Sequence, residues 1–441
     1  MAASPLMRAK NMLNRADSTT RRTSKIQKVL EKRAINIMMK ASQTLEQSTG
    51  LAIGPRRSIN DAYMEECSET LDEREVEAAG TLAAALVRLA RREQRHALGL
   101  VPLPRLPALL AAQLRDCLAL LATEVDRACS RSRKAASRCS SSAAACWSLL
   151  ARLQRLQPDL QRAMHPASPA PYTALVQNCQ HHCVRSLEEW VEGVRGDSAG
   201  GAVDGTVHQL PVAALAYCQA LAAHLHVVGP ALSTEPSYSR AAAQLTGVQD
   251  RNALMLSIYF RKVLAQLNLS LRNKSEQYPD ALKAIFLLNN TLYLLQGLQR
   301  SGLLDILALS EPDCEAGYRR MISDYKNNYL QSWNKLLSHI VLDEPLPAKL
   351  RDKDRQVLKD KFSSFNREWE EATRAQRGYS VPDAELRESL KRDNKEALLP
   401  RYSAFYAQHA ALPFSKNPDK YVKYTPLQIT TQLDGYFDEA A

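Results

Sequence analysis

Leucine and alanine recur at helical spacing along most of this chain, and prolines cut the pattern into segments. Leu82, Leu86, Leu89 and Ala90 form one stripe at i, i+4, i+7 and i+8, a set that shares a single helix face. Leu109, Leu110, Leu114, Cys117, Leu118 and Leu121 continue the stripe beyond Pro102, Pro104 and Pro107. Leu149, Leu150, Leu153 and Leu156 predict a third helix that stops at Pro158, because proline lacks the N–H an interior turn needs. Stripes of this kind are buried against other helices, so an all-α fold of consecutive antiparallel bundles is expected. Glycine supplies only 16 of 441 residues, too few for the turns of a many-stranded sandwich.

Residues 175–194 predict a fourth helix, 196–205 a glycine-rich loop and 210–228 another helix. Gly229-Pro230 then opens a linker over 229–239. Residues 254–271, 282–298 and 317–342 read as long helices. Leu350, Val357, Phe362, Phe365 and Trp369 line one face of a helix reaching about Arg377. A charged helix runs from Pro382 to Leu399, and a separate one follows Pro400 to His409. Asn417-Pro418 and Thr425-Pro426 are helix starts, with a capping residue and then proline at the first helical position. The resulting division is a linker over 1–75, basic then acidic and largely disordered with one amphipathic helix. Helical bundle regions follow over 76–232, 233–345 and 346–441, the last with a basic tip.

The net charge of +11 is uneven. Residues 1–60 hold twelve Lys or Arg against three acids, and residues 61–80 hold eight acids against Arg74. Three readings of the basic head stay open. It can be a transit peptide, an arm for anionic membranes or nucleic acid, or a solvated linker with one amphipathic helix. Ile26, Val29, Leu30 and Ile37, interleaved with Lys25, Lys28, Lys32 and Arg33, would form that helix. No stretch reaches the roughly 18 consecutive apolar residues of a membrane span, and no apolar signal-peptide core is visible. The nine cysteines are therefore read as reduced thiols of a cytoplasmic protein.

Motifs of chemistry are sparse. Cys179-Gln-His-His182-Cys183 has metal-ligating residue types, but zinc needs about four convergent ligands and no second pair lies near in sequence. The spacing of Cys179 and Cys183 fits a packed helix. Gly196-Asp-Ser198-Ala-Gly200 has the letters of a nucleophile elbow, yet that elbow follows a strand, and here a helix precedes it. Arg195-Gly196-Asp197 matches an adhesion tripeptide by letters only. Adjacent acids such as Glu188-Glu189 and Glu370-Glu371 point about 100° apart on a helix and read as solvated surface. No catalytic residue, metal or cofactor is assigned, and a binding or assembly protein is expected.

The segment Pro413-Phe-Ser-Lys416-Asn-Pro-Asp-Lys420-Tyr-Val-Lys423-Tyr424 is the best candidate site. A helix starting at Pro418 would set Lys420 and Lys423 on one face, with Tyr421 and Tyr424 beside them. Clustered lysines with aromatic neighbours suit an anionic lipid headgroup; a plain solvated basic face is the competing reading.

The chain resembles the family of the seventy-kilodalton exocyst subunit (exocyst complex component seven) over roughly residues 71–441. The similar stretches are Asp204-Gly-Thr-Val-His-Gln-Leu210, Ala284-Ile-Phe-Leu-Leu-Asn-Asn290, Lys349-Leu-Arg-Asp-Lys-Asp-Arg355, Pro413 to Tyr424 and Phe437-Asp-Glu-Ala-Ala441. Residues 22–33 and 40–50 look like the variable linker ahead of that region, so the family's long N-terminal coiled coil is not expected within these 441 residues. The resemblance implies an elongated rod of helical bundles with a membrane-facing tip. It also implies a non-enzymatic role, tethering secretory vesicles to the plasma membrane in exocytosis. Phosphatidylinositol 4,5-bisphosphate binding would fall to Lys420 and Lys423, with Lys416 as auxiliary. Other exocyst subunits, a Rho-family GTPase and an actin-nucleating complex are the partners it implies, at a peripheral plasma-membrane location. The alternative function is a nucleic-acid-binding or other scaffold protein acting through residues 1–60. Hydrolase chemistry at Ser198 and metal chemistry at Cys179–Cys183 are the enzymatic rivals.

Overall fold

The computed structural model describes residues 61–98, 106–136, 140–164, 170–342 and 350–438. Every regular element among them is helical. The chain divides into two compact units. One holds the described residues up to Gly193 together with Ala216–Leu256, and the other holds Val194–Leu215 and Ser257 onward. The basic head at residues 1–60, with its three readings, lies outside the described residues.

In the first unit, α1 (Asp61–Leu98), α2 (Leu106–Ala136) and α3 (Ser140–Met164) pack on one another. The first helix opens at Asp61, upstream of Glu75, where the apolar stripe becomes legible. The stripes meet as expected: Leu86, Leu89, Ala90, Leu110, Leu114, Leu121, Leu149, Leu150 and Leu153 are all buried. α4 (Ala170–Arg195) follows, and Trp190 stacks on Tyr217 with ring centroids 4.2 Å apart.

Two expected breaks are absent. α3 runs straight through Pro158 to Met164. An interior proline costs about 3 kcal/mol, but Leu160 and Met164 beyond it are buried, each contributing about 1.5–3 kcal/mol. The 229–239 linker is helical too, as α5 (Gln209–Ala222) is followed by α6 (Leu225–Ser233) and α7 (Pro236–Ala243). Gly229 is there for packing: a Cβ on it would fall 2.7 Å from the Asn252 Cα, so only glycine lets these backbones approach.

The second unit contains most of α8 (Arg251–Ser275), then α9 (Asp280–Arg300), α10 (Leu303–Ala308), α11 (Cys314–Gln331) and α12 (Trp333–Ser338). α13 (Asp352–Gln376), α14 (Ala384–His409) and α15 (Pro426–Asp434) complete it. The long helix expected over 317–342 is thus divided at Ser332 between α11 and α12. Pro400 lies inside α14 rather than between two helices, since Leu398, Tyr402 and Phe405 are buried on both sides of it.

A buried polar chain ties this unit together. Trp333 Nε1 donates to Asn394 Oδ1 at 2.8 Å, Asn394 Nδ2 donates to the Tyr329 oxygen at 2.9 Å, and the Tyr329 hydroxyl donates to Gln376 Oε1 at 2.6 Å. Groups from α11, α12, α13 and α14 thereby satisfy one another where no water reaches.

Candidate membrane-contact site

The basic segment begins where α14 ends. Phe414 is buried, stacked on Phe362 at 5.6 Å, with Tyr421 edge-on to it at 6.0 Å. A single 3₁₀ turn, Pro418–Lys420, follows. The chain then runs irregularly to Thr425, which caps α15. The expected helix through Lys423 therefore does not form. Side chains beneath compete for its carbonyls: Asn366 Nδ2 donates to the Tyr421 oxygen and the Tyr402 hydroxyl to the Tyr424 oxygen, both at 2.6 Å. Pro426 also biases Thr425 away from helical geometry, and its ψ is 158°.

The helix start at Thr425-Pro426 is as expected. Thr425 N donates to Gln428 Oε1 at 2.8 Å, and Gln428 N returns the bond to Thr425 Oγ1 at 3.2 Å, a reciprocal capping box. Trp369 Nε1 donates to Gln432 Oε1 at 2.9 Å. The segment is thus pinned from below at Phe414, Tyr421, Tyr424 and Gln432.

Lys416, Lys420 and Lys423 are all exposed, but they are not equivalent. Lys423 Nζ lies 3.0 Å from Glu370 Oε1, and the Tyr424 hydroxyl donates to the same oxygen at 3.1 Å. The Lys423 ammonium, then the Tyr424 hydroxyl, hold the Glu370 carboxyl below its usual range. Lys416 and Lys420 have no ion-pair partner within 4 Å among the described residues, although Asp419 sits between them in sequence. Tyr421 and Tyr424 are half-buried, held by Phe414 and Glu370. By sequence alone Glu370, beside Glu371, reads as solvated surface. It lies 53 residues from Lys423, and no local signal connects them.

The other motifs resolve into packing. Cys179 and Cys183 stand one turn apart and fully buried on α4. The fold brings a second pair to them that sequence distance hid. The Cys129 and Cys179 sulfurs are 3.6 Å apart, and Cys146 Sγ lies 3.9 Å from the Cys129 carbonyl oxygen. Among the described residues, no three Cys, His, Asp or Glu side chains converge as a metal site. His182 Nε2 instead faces Asp126 Oδ1 at 2.9 Å. Ser198 sits exposed on the loop after α4, and Asp197 pairs with Lys274 at 2.9 Å.

The stretches that carry the resemblance prove to be joints of the second unit. Asn289 Nδ2 donates to the carbonyls of Gly205 and Ser380, both at 2.8 Å, and His208 N donates to Asn290 Oδ1 at 2.8 Å. Asp354 caps α13 by accepting from Arg351 N at 2.9 Å. Phe437 is buried at a φ of 67°, and Asp438 meets Lys391 at 2.7 Å.

Residues 81–435 match the family model for the C-terminal region of the Exo70 exocyst complex subunit. Exocyst complex component 7 of Drosophila melanogaster is 36% identical over 438 residues, covering 95% of this chain and 63% of that protein. Exocyst complex component 7 of Homo sapiens is 30% identical over 371 residues, covering 81% of this chain and 50% of that protein. The chain therefore spans between half and two thirds of the length of these relatives. A solved structure of Saccharomyces cerevisiae Exo70 aligns with 97% of this chain and 92% of its own, at 15% identity and a TM-score of 0.48. No single helix among the described residues is long and apolar enough to cross a membrane.

Proposed function

Given that the chain belongs to the Exo70 exocyst complex subunit family, we propose that it tethers secretory vesicles to the plasma membrane before fusion. The role is mechanical rather than catalytic. Its membrane contact is the pinned segment from Lys416 to Lys423, and the ligand is the headgroup of phosphatidylinositol 4,5-bisphosphate. The observation that supports this most is the exposure of Lys416 and Lys420 without a carboxylate partner on a backbone held from beneath. A fixed backbone spares the ordering entropy a floppy basic tail would lose on binding. Other exocyst subunits, a Rho-family GTPase and an actin-nucleating complex are the partners proposed with this role.

Each lysine near an anionic surface contributes about 1 kcal/mol, so three give weak attachment that salt weakens further. Recruitment then depends on multivalency with partner subunits. The test is co-sedimentation of the chain with vesicles containing phosphatidylinositol 4,5-bisphosphate, comparing it with a folded Lys416→Ala/Lys420→Ala/Lys423→Ala variant. Binding that falls sharply in the variant supports the assignment. Equal binding moves the contact to residues 1–60, and no binding by either removes the membrane role.

A further inference from the structure

Leu427 is 75% exposed, among the most exposed large apolar side chains of the described residues. It is the second residue of α15, about 160° around the helix from Ile429, which is buried. A lone exposed leucine is ordinary on a protein surface. This one stands four residues beyond Lys423, a chain span of at most about 14 Å. The strip between them is pinned by Asn366 and Tyr402 at one end and by the Thr425–Gln428 capping box at the other. Leu427 and Lys423 are thus exposed at the two ends of one short, pinned strip.

The charge of the basic segment is a small surplus. Asp419 stands between Lys416 and Lys420, and Glu370 already faces Lys423. Screening over about 8 Å at physiological salt weakens what remains. An apolar contact is indifferent to that screening. Basic residues beside an exposed apolar side chain are the pairing that holds a segment in the boundary between headgroups and acyl chains.

We propose that Leu427 is the salt-resistant part of the membrane contact, entering the headgroup–acyl boundary of an anionic bilayer while the lysines lie on the headgroups. The proposal rests on the membrane reading above and adds to it an apolar anchor and a salt dependence.

Two exposed-site variants of the full chain test it. The four native tryptophans are at most 6% exposed, so in Leu427→Trp the added indole supplies the acrylamide-quenchable emission of the described region. On phosphatidylcholine vesicles carrying phosphatidylinositol 4,5-bisphosphate, that emission is expected to shift blue and lose its quenching. In Leu427→Gln, binding at about 0.15 M salt is expected to fall roughly tenfold, and by a similar factor at low salt, where the lysines alone still hold measurable binding. A vesicle-bound Leu427→Trp chain that stays quenchable, or a Leu427→Gln chain that keeps its salt-resistant binding, overturns the anchor and leaves the lysine contact standing. Protection of the introduced indole by partner protein but not by vesicles would assign the position to a protein interface instead, also overturning the anchor. Failure of the unsubstituted chain to bind vesicles at any salt overturns the membrane reading and the anchor together.

Discussion

Lys423 and Glu370 form an ion pair at 3.0 Å across 53 residues of chain, joining the candidate contact segment to the C-terminal third of α13. The pair is half-exposed on both sides, where such bridges contribute only about 0–1 kcal/mol to stability. Its larger effect is on the lysine's availability, because a headgroup phosphate must share or displace the carboxylate.

Glu370→Gln keeps an acceptor for the Tyr424 hydroxyl and removes the negative charge. Affinity for vesicles containing phosphatidylinositol 4,5-bisphosphate should rise by up to about fivefold, equivalent to roughly one lysine's contribution. The gain should shrink at high salt. Co-sedimentation at two ionic strengths reads both effects, and an unchanged or lowered affinity would remove Glu370 as a competitor for Lys423.

Asn394→Ala strips the Trp333 indole of its acceptor and the Tyr329 hydroxyl of a donor in a buried site. Orphaned buried groups cost about 1–3 kcal/mol each, so the second unit should lose roughly 2–4 kcal/mol. Urea unfolding followed by tryptophan fluorescence measures this. A loss below about 0.5 kcal/mol would mean that water or repacking satisfies both groups.

Helical periodicity was enough to read the architecture, because a 3.6-residue stripe survives without knowledge of its partner. Proline misled at Pro158 and Pro400 for a reason of magnitude: the local penalty is fixed, while the offsetting burial of Met164 or Phe405 depends on neighbours from other helices. The lysines were legible as exposed charges, and the α15 cap was legible from Thr425-Pro426. The helix through Lys423 was not, since Asn366 and Tyr402 reach its carbonyls from positions 55 and 22 residues away. The second cysteine pair stayed hidden in the same way, arriving from α2 and α3.

The described cysteines at 117, 129, 146, 179, 183, 218 and 314 are all buried. Burial, then Asp116, pushes the Cys117 thiol up to about 11, and burial raises Cys218 as well. Thiols kept away from solvent react slowly. These seven should resist a disulfide reagent in native buffer and react at once in denaturant. Peptide mapping after pulse labelling identifies them, and rapid native labelling of Cys179 or Cys183 would mean that the α2–α4 core opens readily.

His409 ends α14 against Phe405, ring centroids 5.0 Å apart, and burial lowers its pKa below 6.5. The unfolded chain therefore takes up a proton near pH 6.5 while the folded one resists. Stability should be full above that pH and fall as pH drops from about 6.5 toward the lower folded value. His208 is lowered by burial too, and its Nδ1 accepts the Leu210 N–H at 3.1 Å, so it adds to the same acid sensitivity. His409→Phe keeps the ring contact and removes one titrating group. Denaturation midpoints at pH 7.5 and 5.5 should lie closer together in that variant, and an unaltered gap would exclude His409 as a contributor.

The Asn289 side chain closes on Gly205 and Ser380, 84 and 91 residues away in either direction. During synthesis from the N-terminus, its second carbonyl does not exist until residue 380 has been made. The helices from α8 to α12 can form locally and early, whereas this joint must wait and then close a long loop against its entropy. The nascent second unit therefore holds Asn289 half-satisfied for the whole interval, and a ribosome stalled before Ser380 would present a helical but unlatched intermediate.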